Sequence, residues 1–263
     1  MRQSLNSMFL LLGNNEEFNF SDGDLFGFSE QTYTALPPKY DQSDIDFLYS
    51  YFKRGFDISG MNTPARTFFE LSQEAFDIFV YAWMSELPVK AQMLSFGRRV
   101  FAALKLETGF EEKLIAAGKA VCDRSNDDTR TVLAAFSKVQ NEIHRMMGLL
   151  RFFPDNKGVY TAHFEPDHFI LAALGEYFKS RFGETAWAVI DEKRGFCLHS
   201  LQENDYRLSS KDNYAEAVSR SKDEWEELWK HYHKTINNEN RENKGLQRQF
   251  MPKRYWKYLP EVK

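Results

Sequence analysis

The sequence predicts an α+β protein: a helical N-terminal half followed by a twice-repeated hairpin–helix unit, forming a four-stranded antiparallel sheet covered by helices. Three observations lead there. Up to about residue 148, apolar residues recur at spacings of three and four. From Leu149 they alternate or run in short blocks separated by Pro, Asn, Asp and Gly. The order strand, turn, strand, helix then occurs twice. This pattern divides the chain into an acidic N-terminal segment (1–43), a helical region (44–125) and an α+β domain (126–263).

The first residues hold a short apolar run, MFLLL, after Arg2. It is too short for a membrane span and lacks a small-residue cleavage site. Residues 14–46 collect eight acids against Lys39 and carry Gly23, Gly27, Pro37 and Pro38. They read as a solvated, loop-like segment, or as an acidic arm that competes with a polyanion for a basic segment elsewhere. Ile45, Leu48, Tyr49 and Phe52 mark the first helix of the central region. Thr63-Pro64 reads as a cap followed by proline at the first helical position. Stripes from Phe76 to Leu87, Val89 to Leu104 and Leu114 to Cys122 give three more helices. Apolar stripes of this kind are core far more often than cofactor box. Arg98 and Arg99 read as solvated helix edges.

Ser125 to Asp128 is a loop and cap cluster before the clearest helix, with Val132, Phe136, Val139, Ile143, Met146 and Met147 on its stripe. His144 and Arg145 fall in its last turns, where the helix dipole favours cations. Leu149–Phe153 and Val159–Glu165 are the first strand pair, with the Pro154–Gly158 turn between them. Asp167 is placed to cap a helix carrying Ile170, Leu174, Tyr177 and Phe178. Ala186–Ile190 and Phe196–His199 form the second pair around the turn Asp191–Gly195. Leu201–Asn213 reads as a polar connection. Ser221–Glu224 is a capping box opening a helix with Trp225, Leu228, Trp229, Tyr232 and Ile236.

Composition bounds function. The formal net charge is −4, with 43% hydrophobic and 16% aromatic residues. This supplies a core, excludes disorder over most of the length and excludes a general polyanion binder, so any nucleic-acid role needs a local patch. The segment from Lys230 to Lys263 provides one, with nine Lys and Arg against three Glu. Within it, QRQFMPKRYWKYLP interleaves Arg248, Lys253, Arg254 and Lys257 with Phe250, Tyr255, Trp256 and Tyr258. Cations among aromatics suit phosphates and flat rings, or a tail docked on its own domain with cationic stems over apolar surface. Cys122 and Cys197 are far apart and in no ligand spacing. They read as reduced core residues of a cytoplasmic protein, and a cysteine set for an iron–sulfur cluster is lacking.

The densest polar cluster is His163-Phe164-Glu165-Pro166-Asp167-His168. Glu165 and His168 could act as general base and acid, and His163 and Asp167 could join them around a divalent metal. The structural alternative has Asp167 capping a helix, Glu165 paired with an arginine such as Arg145 or Arg151, and incidental histidines. The spacing matches no metal motif. Arg194, in the Asp191–Gly195 turn, could contact a phosphate. No phosphate-cradling glycine loop, nucleophile elbow or zinc-ribbon spacing occurs, so no cofactor is expected.

The ordered set His144-Arg145-Met146, Leu150-Arg151-Phe152, Phe164-Glu165-Pro166-Asp167-His168, Lys193-Arg194 and Met251-Pro252-Lys253-Arg254-Tyr255-Trp256 resembles a bacterial family associated with DNA repair and DNA metabolism. The resemblance covers about Leu133 to Lys263 and, more weakly, Leu87 to Phe101. The family shares a C-terminal domain of unknown function. The resemblance implies a radical S-adenosylmethionine partner protein, and a similar domain stands behind some uracil-DNA glycosylases. It makes His144, Arg145, Arg151, Glu165, His168, Lys253, Arg254, Tyr255 and Trp256 family-pattern positions without assigning any a catalytic role. The chain departs from the family at its start, where a short aspartate–glycine strand segment has no counterpart, and the glycosylase motifs do not occur.

Three functions follow in order of preference: a DNA-binding accessory to a separate repair enzyme, an interaction module whose tail docks on that enzyme, and an enzyme using Glu165 and His168. In the first, the tail with Arg145, Arg151 and Arg194 meets phosphates, and Tyr255 or Trp256 stacks on a base or packs the tail.

Overall fold

The computed structural model describes residues 4–13, 40, 42–106, 108–155, 158–201, 205–213, 228, 231–232, 234–236 and 243–259. The acidic stretch before residue 40, the capping box at Ser221 and residues 237–242 lie outside them. Among the described residues, the helices include α1 (Leu5–Gly13), α2 (Gln42–Phe52), α3 (Thr63–Leu71), α4 (Gln73–Met84), α5 (Lys90–Phe101), α6 (Phe110–Cys122), α7 (Asp127–Leu149) and α8 (Gly175–Phe182). The strands are β1 (Phe153–Pro154), β2 (Tyr160–Phe164), β3 (Trp187–Asp191), β4 (Phe196–Leu201) and β5 (Asp205–Ser210). A short helix (Lys244–Phe250) and a 3₁₀ turn (Lys253–Tyr258) form the tail. The chain forms two compact units, Met1–Asp44 with Ile58–Trp83 and Pro88–Ala135, and Ile45–Asp57 with Met84–Leu87 and Phe136–Lys263.

The first unit is helical. The MFLLL run is largely core: Met8, Phe9 and Leu12 of α1 are buried together with Leu5, while Leu10 is exposed. Phe9 stacks on Phe76 at 5.2 Å, and Phe68 stacks on Phe101 at 5.4 Å. Such aromatic pairs add specificity to area burial. Gly97 lets α1 approach α5, since a Cβ there would lie 2.7 Å from Leu12 Cδ1. The cap of α3 is Asn62 rather than Thr63: its Oδ1 accepts the Ala65 N–H at 2.9 Å, with Pro64 in the first turn. Asn126 caps α7 in the same way, accepting from Thr129 N–H at 2.9 Å. Arg98 is exposed, but Arg99 is no solvated edge: it donates to Thr129 Oγ1 at 2.7 Å and pairs with Asp123. Cys122 is exposed, contrary to its reading as a core residue, whereas Cys197 is buried and its thiol is pushed up to about 12 by desolvation. Among the described residues, no helix is long and apolar enough to cross a membrane.

The second unit holds the sheet, in the order β1-β2-β3-β4-β5. Among the described residues it has five strands and is mixed, which corrects the expected four antiparallel strands. β1/β2, β3/β4 and β4/β5 are antiparallel, but β2 and β3 run parallel, with Ala162 opposite Val189. The reason is topological. The helix between β2 and β3 carries the chain back along the sheet, so neighbouring strands joined through it point the same way. The fifth strand lies in the segment read as a polar connection. In DYRLSS, Tyr206 and Leu208 are buried while Arg207 is exposed, the alternation of a half-buried strand.

The region after β2 also differs from expectation. Asp167 caps no helix. Residues 167–170 form a loop, a 3₁₀ turn spans Leu171–Leu174, and α8 follows from Gly175. α8 ends at Gly183, whose φ of 58° is a left-handed stop that glycine adopts without steric cost. Gly175 is required for packing. A Cβ there would meet the fully buried Tyr206 ring at 2.3 Å. Gly175→Ala should therefore cost about 1–3 kcal/mol through overpacking, read as a lower denaturant midpoint. An unchanged midpoint would show that the ring relocates freely.

Candidate functional site

At the C-terminal ends of the parallel pair β2/β3, the chain turns sharply through Glu165-Pro166-Asp167-His168. Pro166 and His168 are buried, so the corner's backbone polar groups need partners inside the protein. Two buried charges supply them from opposite sides. Glu142, on α7 and only 3% exposed, accepts the Asp167 N–H at 2.7 Å and the His168 N–H at 2.9 Å, one on each carboxylate oxygen. The Arg194 guanidinium, with its side chain 1% exposed, donates to the Pro166 carbonyl at 3.2 Å and the Asp167 carbonyl at 2.9 Å.

Each buried charge is in turn compensated. Arg194 pairs with Asp191 at 3.0 Å and with Glu86 at 2.9 Å. Asp191 also accepts the N–H groups of Lys193 and Arg194 at 3.0 and 3.1 Å, which shapes the β3/β4 turn closed by Gly195 at φ 71°. Burial raises the Asp191 pKa, and Arg194 opposes that rise without cancelling it. Glu142 receives a third hydrogen bond, from the Tyr255 hydroxyl of the tail at 2.6 Å. That phenol is itself pushed above its usual range, first by burial and then by the Glu142 charge.

The tail is thus docked. Tyr255 and Leu259 are 3% and 1% exposed, and the Trp256 indole N–H donates to the Met251 carbonyl at 2.8 Å. Around these anchors the cations stay at the surface. Arg254 pairs with Asp167 at 2.5 Å and lies 4.8 Å from the Tyr255 ring centroid. Lys257 pairs with Glu165 at 2.5 Å, and the Tyr258 hydroxyl donates to the same carboxylate at 2.9 Å. The Lys257 hydrogen bond, more than that of Tyr258, holds the Glu165 pKa below its usual value. Lys193 Nζ donates to the Asp167 carbonyl at 3.3 Å. Beside this row, Glu192 binds His163 at 2.6 Å and also Lys211.

The predicted site residues therefore do not all meet at one place. Glu165, Asp167, His168, Arg194, Arg254 and Tyr255 converge on the corner, but Arg194 and Tyr255 are buried there rather than presented to a ligand. Glu165 is held by Lys257 and Tyr258, not by the expected Arg145 or Arg151. Arg151 donates to the Gly148 carbonyl at 2.8 Å, His144 is exposed, and Arg145 is half-buried. Lys253 and Arg248 are exposed, with Lys253 5.9 Å from the Trp256 ring centroid. His163 and Asp167 go to separate partners, and among the described residues no group of three His, Cys, Asp or Glu is placed to hold a metal ion. Glu142, Glu86 and Asp191 were missed. Glu142 had a signal: it continues the three–four spacing from Val132 through Ala135 and Val139 to Met146, so it is an acid on a core stripe.

His168 Nδ1 accepts the Glu86 N–H at 3.3 Å, which leaves the proton of the neutral ring on Nε2. Burial lowers its pKa below the ordinary 6.5, outweighing the nearby carboxylates. Below that value the unfolded chain binds the proton more readily than the folded one, so stability falls on acidification from pH 7. His168→Asn should flatten the dependence of melting temperature on pH between 7 and 5; an unchanged slope would assign it to other groups. Tyr255→Phe deletes a charge-assisted hydrogen bond and should cost about 1.5–3 kcal/mol, with earlier proteolysis of the tail. Glu142→Ala, which orphans three donors, should cost more than Tyr255→Phe in the same denaturation assay.

No curated protein matches this chain, and no solved structure does. A family model described as a domain of unknown function, DUF4130, matches residues 100–261. The matched stretch takes in every convergent element of the corner except Glu86: the α7 acid, the Glu165–His168 turn, the β3/β4 turn and the docked tail. It also takes in most of the segment on which the resemblance rested, while the Leu87–Phe101 stretch falls almost wholly before it. The chain belongs to the DUF4130 family.

Proposed function

We propose that this protein is a DNA-binding accessory that acts with a separate enzyme of DNA repair or DNA metabolism, of the radical S-adenosylmethionine or glycosylase type. The observation that carries this reading is the two-sidedness of the tail. The turn Lys253–Tyr258 buries Tyr255 and leaves Lys253, Arg254 and Lys257 exposed, with the Arg254 and Lys257 side chains 49% and 51% accessible. Cations presented by an anchored turn lose less freedom on meeting a phosphate backbone than cations on a loose end. The rows of Lys and Arg supply the non-specific, salt-sensitive term of nucleic-acid affinity. Tyr255 serves this surface as an anchor, not as a stacking platform.

The second reading, an interaction module for the same enzyme, is favoured by the helix before the turn. Leu246 and Phe250 stand four residues apart on it and are 51% and 65% exposed. The enzyme reading has the least support, because Glu165 is held in an ion pair and His168 is buried.

Titration of single- and double-stranded DNA against salt tests the first reading. Replacing Lys253, Arg254 and Lys257 together by Gln should remove about three phosphate contacts and flatten the log–log salt slope on duplex by about 2.7. Wild-type affinity that is absent or indifferent to salt would sink it. Loss of a co-purifying enzyme on truncation at Gly245, with DNA binding retained, would favour the second.

A further inference from the structure

Two of the tail cations, Arg254 and Lys257, already have anionic partners. Arg254 holds Asp167, Lys257 holds Glu165, and Lys193 lies on the Asp167 carbonyl. Asp167 and Glu165 are themselves 45% and 42% exposed, so these pairs form at the surface and are solvent-screened. Pairs of this kind hold geometry at little energetic gain. The corner under them is fixed differently, by the buried charges of Glu142 and Arg194. The tail is likewise fixed by Tyr255 on Glu142 and by the buried Leu259. Opening the two surface pairs therefore leaves both the corner and the tail backbone in place.

We infer that Lys193, Arg254 and Lys257 form a phosphate-binding row on which Asp167 and Glu165 stand as internal competitors of a phosphodiester backbone. The carboxylates occupy Arg254 and Lys257 when no nucleic acid is present, keep them aimed outward, and give way to phosphates on binding. The chain's own acids thereby set both its affinity and its discrimination against weaker anions. This rests on the DNA-binding reading above and goes beyond it by naming what regulates the surface.

The test uses the full chain and a fluorescent single-stranded 25-nucleotide DNA at fixed salt. Glu165→Gln with Asp167→Asn should tighten binding by about 2- to 30-fold, the combined worth of two exposed pairs. A control with the same charge change, Glu111→Gln with Glu184→Gln at two exposed positions outside the row, separates local competition from net charge. Tightening confined to the corner variant supports the inference, as does binding by that variant where wild type shows none. Equal tightening by both variants, or none by either while wild type binds, overturns it and leaves the DNA-binding reading standing. Failure of wild type and variants alike to bind removes both. Should the double variant melt early, Asp167→Asn alone is compared with Glu184→Gln alone, and the same two outcomes decide.

Discussion

The second unit depends on one constraint: a backbone corner that leaves the sheet with its polar groups buried. Pro166 and His168 are buried, so the Pro166 carbonyl and the His168 N–H need partners inside the protein, and an unmet buried backbone group costs on the order of a hydrogen bond's full desolvation. The chain meets this with a carboxylate on the N–H side and a guanidinium on the carbonyl side. A buried ion is stable only when it is itself compensated. The rest follows from that requirement: Arg194 needs Asp191 and Glu86, and Glu142 recruits Tyr255 in addition to its two backbone donors. The β3/β4 turn and the tail are held by the charges that hold the corner.

This explains which parts of the architecture were legible. Helices announce themselves by a local period, and α2 and α4 through α7 stand where the stripes put them, while α3 follows the Thr63-Pro64 signal. The β3/β4 hairpin was legible because its turn chemistry, an acid followed by a glycine at positive φ, is local too. Parallel pairing of β2 with β3 was not, because it depends on how α8 returns the chain and on no residue within either strand. β5 escaped because Asp205, Arg207 and Ser209 make the segment polar on average, and only the alternate positions carry Tyr206 and Leu208.

The candidate site divides along the same line. Its sequence-adjacent members, Glu165 to His168, and the basic aromatic tail could be singled out by density alone. Their partnership could not, since Glu142 and Tyr255 lie 113 positions apart and Glu86 and Arg194 lie 108 apart. Arg194 shows how the surface reading goes astray. A cation in a polar turn is ordinarily solvated, yet here the Asp191 at the end of an otherwise apolar strand draws it inward. A charge on an apolar element, Glu142 on α7 or Asp191 on β3, was the stronger pointer to the hub than any cluster of charges.

The tail joins two energy scales in six residues, and that decides how it can behave. Tyr255 to Glu142 is a buried charge-assisted hydrogen bond of about 1.5–3 kcal/mol, and burial of Leu259 contributes a comparable amount. The Arg254–Asp167 and Lys257–Glu165 pairs, both about half exposed, belong to the class worth about 0–1 kcal/mol each. An anion arriving from solvent therefore meets cations whose partners are readily exchanged, on a backbone whose anchors are not. Were the scales reversed, with buried ion pairs and exposed aromatics, the same sequence composition would give a tail that peels away before its cations change partner. The alternation of cation and aromatic in KRYWKY sets this order, since it sends Tyr255 to the acid on α7 and leaves its neighbours at the surface.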